Sequence, residues 1–177
     1  MFVLTAVNVD EYRGYVDERM ETLRKMGHTL RVLDVAEVTP DEAARIIADC
    51  ECLWVSGGNT FYLLQELRRA GLVDLIAART REGMAYIGES AGAIIACPDI
   101  EYVHHMDERA LAPGLADCTG MGLVDRYVLP HNGEFPFGEA IAEIRAAYES
   151  EIDLVPLDNN QVLVVDGDGR TVMTERW

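Results

Sequence analysis

At 177 residues and 19.6 kDa the chain has the length of one domain, enough to bury about 70% of its unfolded surface. Its formal charge of -16 excludes a nucleic-acid binder, which needs a basic stripe, and attachment to acidic membrane surfaces. No apolar run reaches the roughly 20 residues of a membrane-spanning helix.

The opening Met1-Phe2-Val3-Leu4-Thr5-Ala6 has neither the basic start nor the apolar core of a secretion signal, which points to the cytoplasm. Phe2 to Ala6 reads as a buried strand. A helix from about Asp10 to Met26 follows, with Tyr12, Val16, Met20 and Leu23 on one face. Thr29 to Leu33 is a second strand. Thr39-Pro40-Asp41-Glu42 opens the next helix with a capping threonine, a proline at the first helical position and a glutamate three residues after the cap. Leu53-Trp54-Val55 is a third strand, Ser56-Gly57-Gly58-Asn59-Thr60 a turn, and Phe61 to Ala70 a helix ended by Gly71. Leu72 to Arg81 is helical, and Ala85 to Gly88 is an apolar strand. Strands alternating with helices predict parallel βαβ units, hence an α/β fold of three layers with a mostly parallel sheet and helices on both faces.

Pro98 to Gly122 carries no sustained period and reads as a long loop. Leu123 to Leu129 returns as a strand, Gly138 to Ser150 as a helix with Ile141, Ile144 and Tyr148 inward, and Asp153 to Leu157 as a further strand. Val162 to Val165 and Thr171 to Met173, joined through Asp166-Gly167-Asp168-Gly169, predict a C-terminal hairpin. Of the four cysteines, Cys50, Cys52, Cys97 and Cys118, none forms a Cys-x-x-Cys pair. They read as buried reduced thiols, with neither disulfides nor a structural metal expected.

The stretch that carries chemistry is Gly88-Glu89-Ser90-Ala91-Gly92, a Gly-x-Ser-x-Gly turn between an apolar strand and a small-residue helix. A serine there projects its oxygen clear of both elements, which marks Ser90 as a nucleophile, and the two glycines allow the backbones to approach closely. Gly57-Gly58 ends another strand at the same sheet edge. An amide from Gly57 or Gly58 opposite that of Ala91 would make the two-donor cradle an oxyanion requires. Of the four histidines, His131 follows the strand ending at Leu129-Pro130 and so reaches that edge as a base. Asp158, just past the strand ending at Leu157, meets the same condition as the acid that orients the histidine, ahead of Asp166 and Glu134. Asn59, Thr60 and Glu89 flank these turns as candidate substrate contacts, and Arg109 and Arg126 are the candidate cations for an acidic substrate.

Ser56-Gly57-Gly58-Asn59-Thr60-Phe61, Gly88-Glu89-Ser90-Ala91-Gly92-Ala93, and Met121-Gly122-Leu123-Val124-Asp125 leading to Leu129-Pro130-His131 together resemble the peptidase E family. These are serine peptidases related to cyanophycinase, on a fold similar to class I glutamine amidotransferases. The resemblance runs from about Phe2 to the end. It implies Ser90 as nucleophile, His131 as base and Asp158 at the place of the orienting acid, a glutamate in peptidase E. It also implies no cofactor and, as activity, removal of an N-terminal aspartate from short peptides. A non-catalytic peptide- or ligand-binding protein on the same scaffold, and an isopeptidase or esterase, are the alternatives.

Two departures accompany the resemblance. Family members carry an extra strand and helix before the segment equivalent to Phe2 to Ala6; either the start codon is misplaced or the sheet has lost a strand, which would open an edge and favour a homodimer. The arginine-bearing segment after the family's catalytic histidine reads Phe135-Pro136-Phe137-Gly138-Glu139 here, which predicts a weakened preference for aspartate.

Overall fold

The computed structural model describes residues 1–166 and 171–175. Four parallel strands run in the order β2-β1-β3-β4: β1 (Phe2–Val3), β2 (Val32–Leu33), β3 (Cys52–Val55) and β4 (Ala85–Gly88). Phe2 pairs with Val32 and Trp54, and Trp54 with Ile87, so these side chains share one face; Val3, Leu33 and Val55 share the other. Helix α1 (Gly14–Lys25) covers the first face, where Phe2, Val16 and Leu23 are buried together beside Trp54. The second face packs on α2 (Pro40–Ala48), α3 (Thr60–Arg69) and α4 (Leu72–Arg81) through Ala43, Ile47, Leu63, Leu64, Leu67, Leu72 and Ile76. Helices on both faces of a parallel sheet give the expected α/β fold.

Short helix α5 (Ala91–Ile94) leaves β4, and a second parallel pair, β5 (Tyr127–Leu129) with β6 (Leu154–Pro156), flanks α6 (Gly138–Tyr148) in sequence. Strands β7 (Gln161–Val165) and β8 (Thr171–Glu175) form the C-terminal hairpin. Of its expected turn, Asp166 is described and 167–169 lie outside the described residues.

Local chemistry explains where the elements begin. At α2 the Thr39 hydroxyl accepts the Glu42 amide while Glu42 Oε2 accepts Thr39 N–H at 3.1 Å, the reciprocal cap its sequence announces. Strand β1 is shorter than expected because Thr5 turns inward: its hydroxyl accepts Val35 N–H at 2.8 Å, and Thr5–Val9 winds into a 3₁₀ turn. Helix α1 accordingly starts at Gly14, and Tyr12 is exposed rather than part of the buried face. Strand β5 starts at Tyr127, since Leu123 and Val124 give their amides to the carbonyl of Ala96. The long 98–122 segment is held to itself by Ile100 N–H to Cys118 O and Gly120 N–H to Pro98 O, both 2.9 Å, over a buried Tyr102. Cys50, Cys97 and Cys118 are buried free thiols; Cys52 is exposed.

Candidate active site

Strand β4 ends at Gly88, and Ser90 stands one residue before α5 with φ 47° and ψ -110°. A non-glycine residue at positive φ costs about 1–3 kcal/mol and persists only where its surroundings enforce it. They do so here by contact. A Cβ on Gly92 would overlap the carbonyl of Val55, and one on Gly88 would overlap the carbonyl of Gly92. Both glycines let strand and helix backbones touch, which turns the chain sharply and lifts the serine oxygen outward.

His131, two residues past β5, also has positive φ, 62°. Its Nε2 lies 2.9 Å from Ser90 Oγ, and the ring of Phe137 stacks on it at 4.4 Å between centroids and 16° between planes. The loops after β5 and β6 are joined by Leu157 N–H to Leu129 O and Asn132 N–H to Leu157 O, both 2.9 Å. That pairing brings Asn159 to the imidazole, with Oδ1 3.0 Å from Nδ1. An amide oxygen there accepts the Nδ1 proton, leaving the Nε2 lone pair for the serine hydroxyl.

Asp158 does not occupy this place. Its carboxylate accepts the Asn160 amide at 2.7 Å and its own amide donates to Gln161 Oε1 at 3.1 Å, so it closes a turn within its own loop. In a turn neighbouring side chains diverge, and the edge rule that selected Asp158 could not separate it from the next residue.

On the opposite side of Ser90, the ideal Cβ position of Gly57 is 3.2 Å from Ser90 Cβ and 3.9 Å from Oγ. The flanking amides are used, Ser56 N–H by Val3 O and Asn59 N–H by Ala6 O. Those of Gly57 and Gly58 between them have no main-chain acceptor among the described residues. Gly58 has φ 132°, and a Cβ there would overlap the main chain of Ala6. The Ala91 amide opens α5, where no helical carbonyl is available to it. The loop of Gly57 and Gly58 thus approaches Ser90 at Gly57, and the Ala91 amide follows Ser90 directly in the chain, in the two loops expected to carry an oxyanion cradle.

The remaining candidates are engaged elsewhere. Asn59 caps α3, accepting Tyr62 N–H at 2.9 Å and donating to Glu108 O at 3.0 Å. Thr60 is fully buried and gives its amide to Asp107 Oδ2 at 2.8 Å. Glu89 turns to the α1 side of the sheet, where it pairs with Arg19. Arg109 is paired with Glu101 and Cys118 and lies over the Phe61 ring. Arg126 sits at the far end of β5 against Asp153, 3.5 Å away.

Two acidic groups that the sequence did not single out stand nearby. Burial pushes the Asp107 carboxyl up, while its contact with Thr60, whose amide donates to it, and the charge of His131 pull it down. Asp10, raised chiefly by burial, accepts the Tyr15 hydroxyl at 2.7 Å. Burial raises Tyr15 in turn, reinforced by Asp10, Asp107 and Glu89. The only signal for Asp107 in the sequence is a carboxylate in a loop between the nucleophile and the base. Among the described residues no group of His, Cys, Asp or Glu could hold a metal ion, and no helix is long and apolar enough to cross a membrane.

The model of peptidase family S51 matches residues 1–173. The chain belongs to this family. It is 42% identical to an uncharacterized peptidase of Pasteurella multocida, over 97% of this chain and 83% of that protein. To the peptidase E of Salmonella typhi it is 36% identical over 76% of this chain, and the match spans 54% of that protein, about half its length. A crystal structure of a putative peptidase E from Listeria monocytogenes superposes with a TM-score of 0.92 at 34% identity, covering 99% of this chain and 84% of that one. A peptidase of an acI-B1 actinobacterium shares the fold at 18% identity and a TM-score of 0.65. The S51 chain is therefore a serine-type peptidase, and the extended similarity bears out the α/β architecture read from its sequence.

Proposed function

We propose that this S51 chain is a cytoplasmic exopeptidase acting on short peptides, with Ser90 as nucleophile, His131 as general base and Asn159 as the residue that fixes the imidazole. The observation that carries the reading is the 2.9 Å approach of His131 Nε2 to Ser90 Oγ. Ser90 Oγ attacks the scissile carbonyl as its proton passes to Nε2. The charge that develops on the carbonyl oxygen meets the amides of Gly57 or Gly58 and Ala91. Collapse returns the Nε2 proton to the leaving amine. Water, activated by the same nitrogen, then frees the acyl group and regenerates the serine.

Asn159 holds the productive tautomer without lending the imidazolium a full negative charge, a division of labour also used in Cys-His-Asn sites. The residues around the site favour neutral first residues over aspartate. Arg109 and Arg126 are both committed to other carboxylates, and the charged group close to His131 is Asp107. An aspartate side chain desolvated beside Asp107 without a cation would lose several kcal/mol. The direct test is hydrolysis of Ala-Leu and Asp-Leu by the wild type and Ser90→Ala. A loss of about three to six decades is expected; wild-type turnover by the alanine variant would contradict the assignment.

A further inference from the structure

Ser90 is held at φ 47° and ψ -110°, and the residue before it is bound through both its main chain and its side chain. The main chain of Glu89 extends the sheet by one bond, its N–H donating to Val55 O at 3.0 Å, and its carbonyl accepts Gly92 N–H at 2.8 Å to open α5. Its side chain, two residues on from Ile87, falls on the α1 side of the sheet. There Oε2 accepts the indole N–H of Trp54 in β3 at 2.9 Å, and Oε1 lies 2.6 Å from Nε of Arg19 in α1. Both ion-pair partners are about two-thirds covered, at 26% and 32% exposure, so the contact is shielded from solvent more than a surface pair. Glu89 therefore fastens the elbow to the neighbouring strand and to the helix across it.

We propose that Glu89 is a positioning residue for the nucleophile, with Arg19 and Trp54 as its anchors, and that it does not touch the substrate. The inference rests on Ser90 being the nucleophile. Its consequence is kinetic. Loosening Glu89 lets Ser90 relax from its positive-φ conformation, which lowers the fraction of enzyme in which Oγ meets both His131 and the carbonyl carbon. Substrate binding is untouched, so the loss falls on kcat and on covalent labelling of the serine rather than on KM.

The test compares Glu89→Ala, Glu89→Gln, Arg19→Met and the Glu89→Gln/Arg19→Met pair by kcat and KM on Ala-Leu, by the second-order rate of labelling with a fluorophosphonate, and by Tm. Glu89→Ala is expected to lower kcat and the labelling rate together by about 10- to 100-fold with KM within about twofold. Glu89→Gln, whose amide oxygen still accepts from Trp54, should restore activity by about tenfold over alanine. The pair should be scarcely worse than Arg19→Met alone, because the two residues act through one contact. The near-isosteric Gln and Met variants keep the test open should the alanine variant fail to fold. A raised KM with kcat intact would overturn the proposal in favour of a substrate contact. A lowered Tm with kcat, KM and labelling unchanged would overturn it in favour of a purely structural ion pair. Ser90→Ala, run alongside, separates the two claims: activity in that variant would overturn the nucleophile, whereas an inert Ser90→Ala beside a fully active Glu89→Ala would overturn only the role of Glu89.

Discussion

Asn159 Oδ1 lies 3.0 Å from His131 Nδ1, and the carboxylate one residue earlier faces away into its own turn. A neutral acceptor at this place orients the imidazole by hydrogen bonding alone. Asn159→Ala should therefore lower kcat by about 10- to 100-fold, since the ring can then adopt the wrong tautomer or rotate. Asn159→Asp should keep much of the activity but move the acid limb of the kcat/KM profile to higher pH, because a carboxylate favours the protonated, inactive imidazole. Asp158→Asn should cost less than Asn159→Ala. A pH profile of the three variants is the measurement, and a larger loss at Asp158 would return the role to that residue.

Asp107 gives a prediction about stability. Burial raises its folded-state pKa above that of the unfolded chain, so ionising it within the fold carries a cost. For a carboxyl whose pKa is raised, stability is greatest below the unfolded pKa of about 3.9 and declines as pH climbs through the folded pKa. Asp107→Asn keeps an oxygen for the Thr60 amide and removes that cost. Its Tm should exceed the wild type by a few degrees at pH 7, and the gap should close as pH is lowered toward 4. Thermal unfolding between pH 4 and 8 decides it; a variant less stable at pH 7 would mean that the charge is needed for the fold.

Gly58→Ala should damage catalysis through the cradle rather than the nucleophile. The backbone at φ 132° disfavours any side chain, and the new Cβ would overlap Ala6. The loop must shift, carrying the Gly57 and Gly58 amides off the oxyanion, for a loss of about 100- to 1000-fold in kcat. Steady-state kinetics on a folded variant, checked by circular dichroism, gives the answer. Retained kcat would assign the cradle to Ala91 and some other donor.

Much of this site was legible in the sequence, and the exceptions share a cause. Ser90 and Gly57-Gly58 follow the paired strands β4 and β3 of one parallel sheet, whose ends share an edge, so the spacing of elements was enough to bring them together. His131 was legible as the residue that follows a strand, although β5 pairs with β6 outside the four-stranded sheet rather than at the expected shared edge. Asn159 was not, because one step along a turn changes the direction of a side chain and no periodicity governs it. Asp107 was invisible for a related reason: the 98–122 segment has no repeating pattern, and its path is set by hydrogen bonds such as Thr60 N–H to Asp107 that depend on the finished fold. Tyr12 failed otherwise. Its helical spacing was correct, but Thr5 diverted the chain into a 3₁₀ turn and the helix began after it.

Substrate preference follows from the commitment of Arg109 and Arg126 to Glu101 and Asp153. In a panel of Xaa-Leu dipeptides, those with alanine or serine first should be cleaved with a higher kcat/KM than Asp-Leu. Aspartate favoured by more than about a hundredfold, equivalent to about 2.7 kcal/mol, would require a cation at the site that neither arginine supplies.

The central claim is that Ser90 Oγ is the atom that becomes acylated. The measurement that tests it most directly is intact mass after reaction with a fluorophosphonate, followed by peptide mapping of the adduct. One adduct per chain is expected, on the peptide containing Ser90, abolished by Ser90→Ala and slowed by about two decades or more in His131→Ala. An adduct on another residue, or none from a protein that still cleaves Ala-Leu, would contradict it.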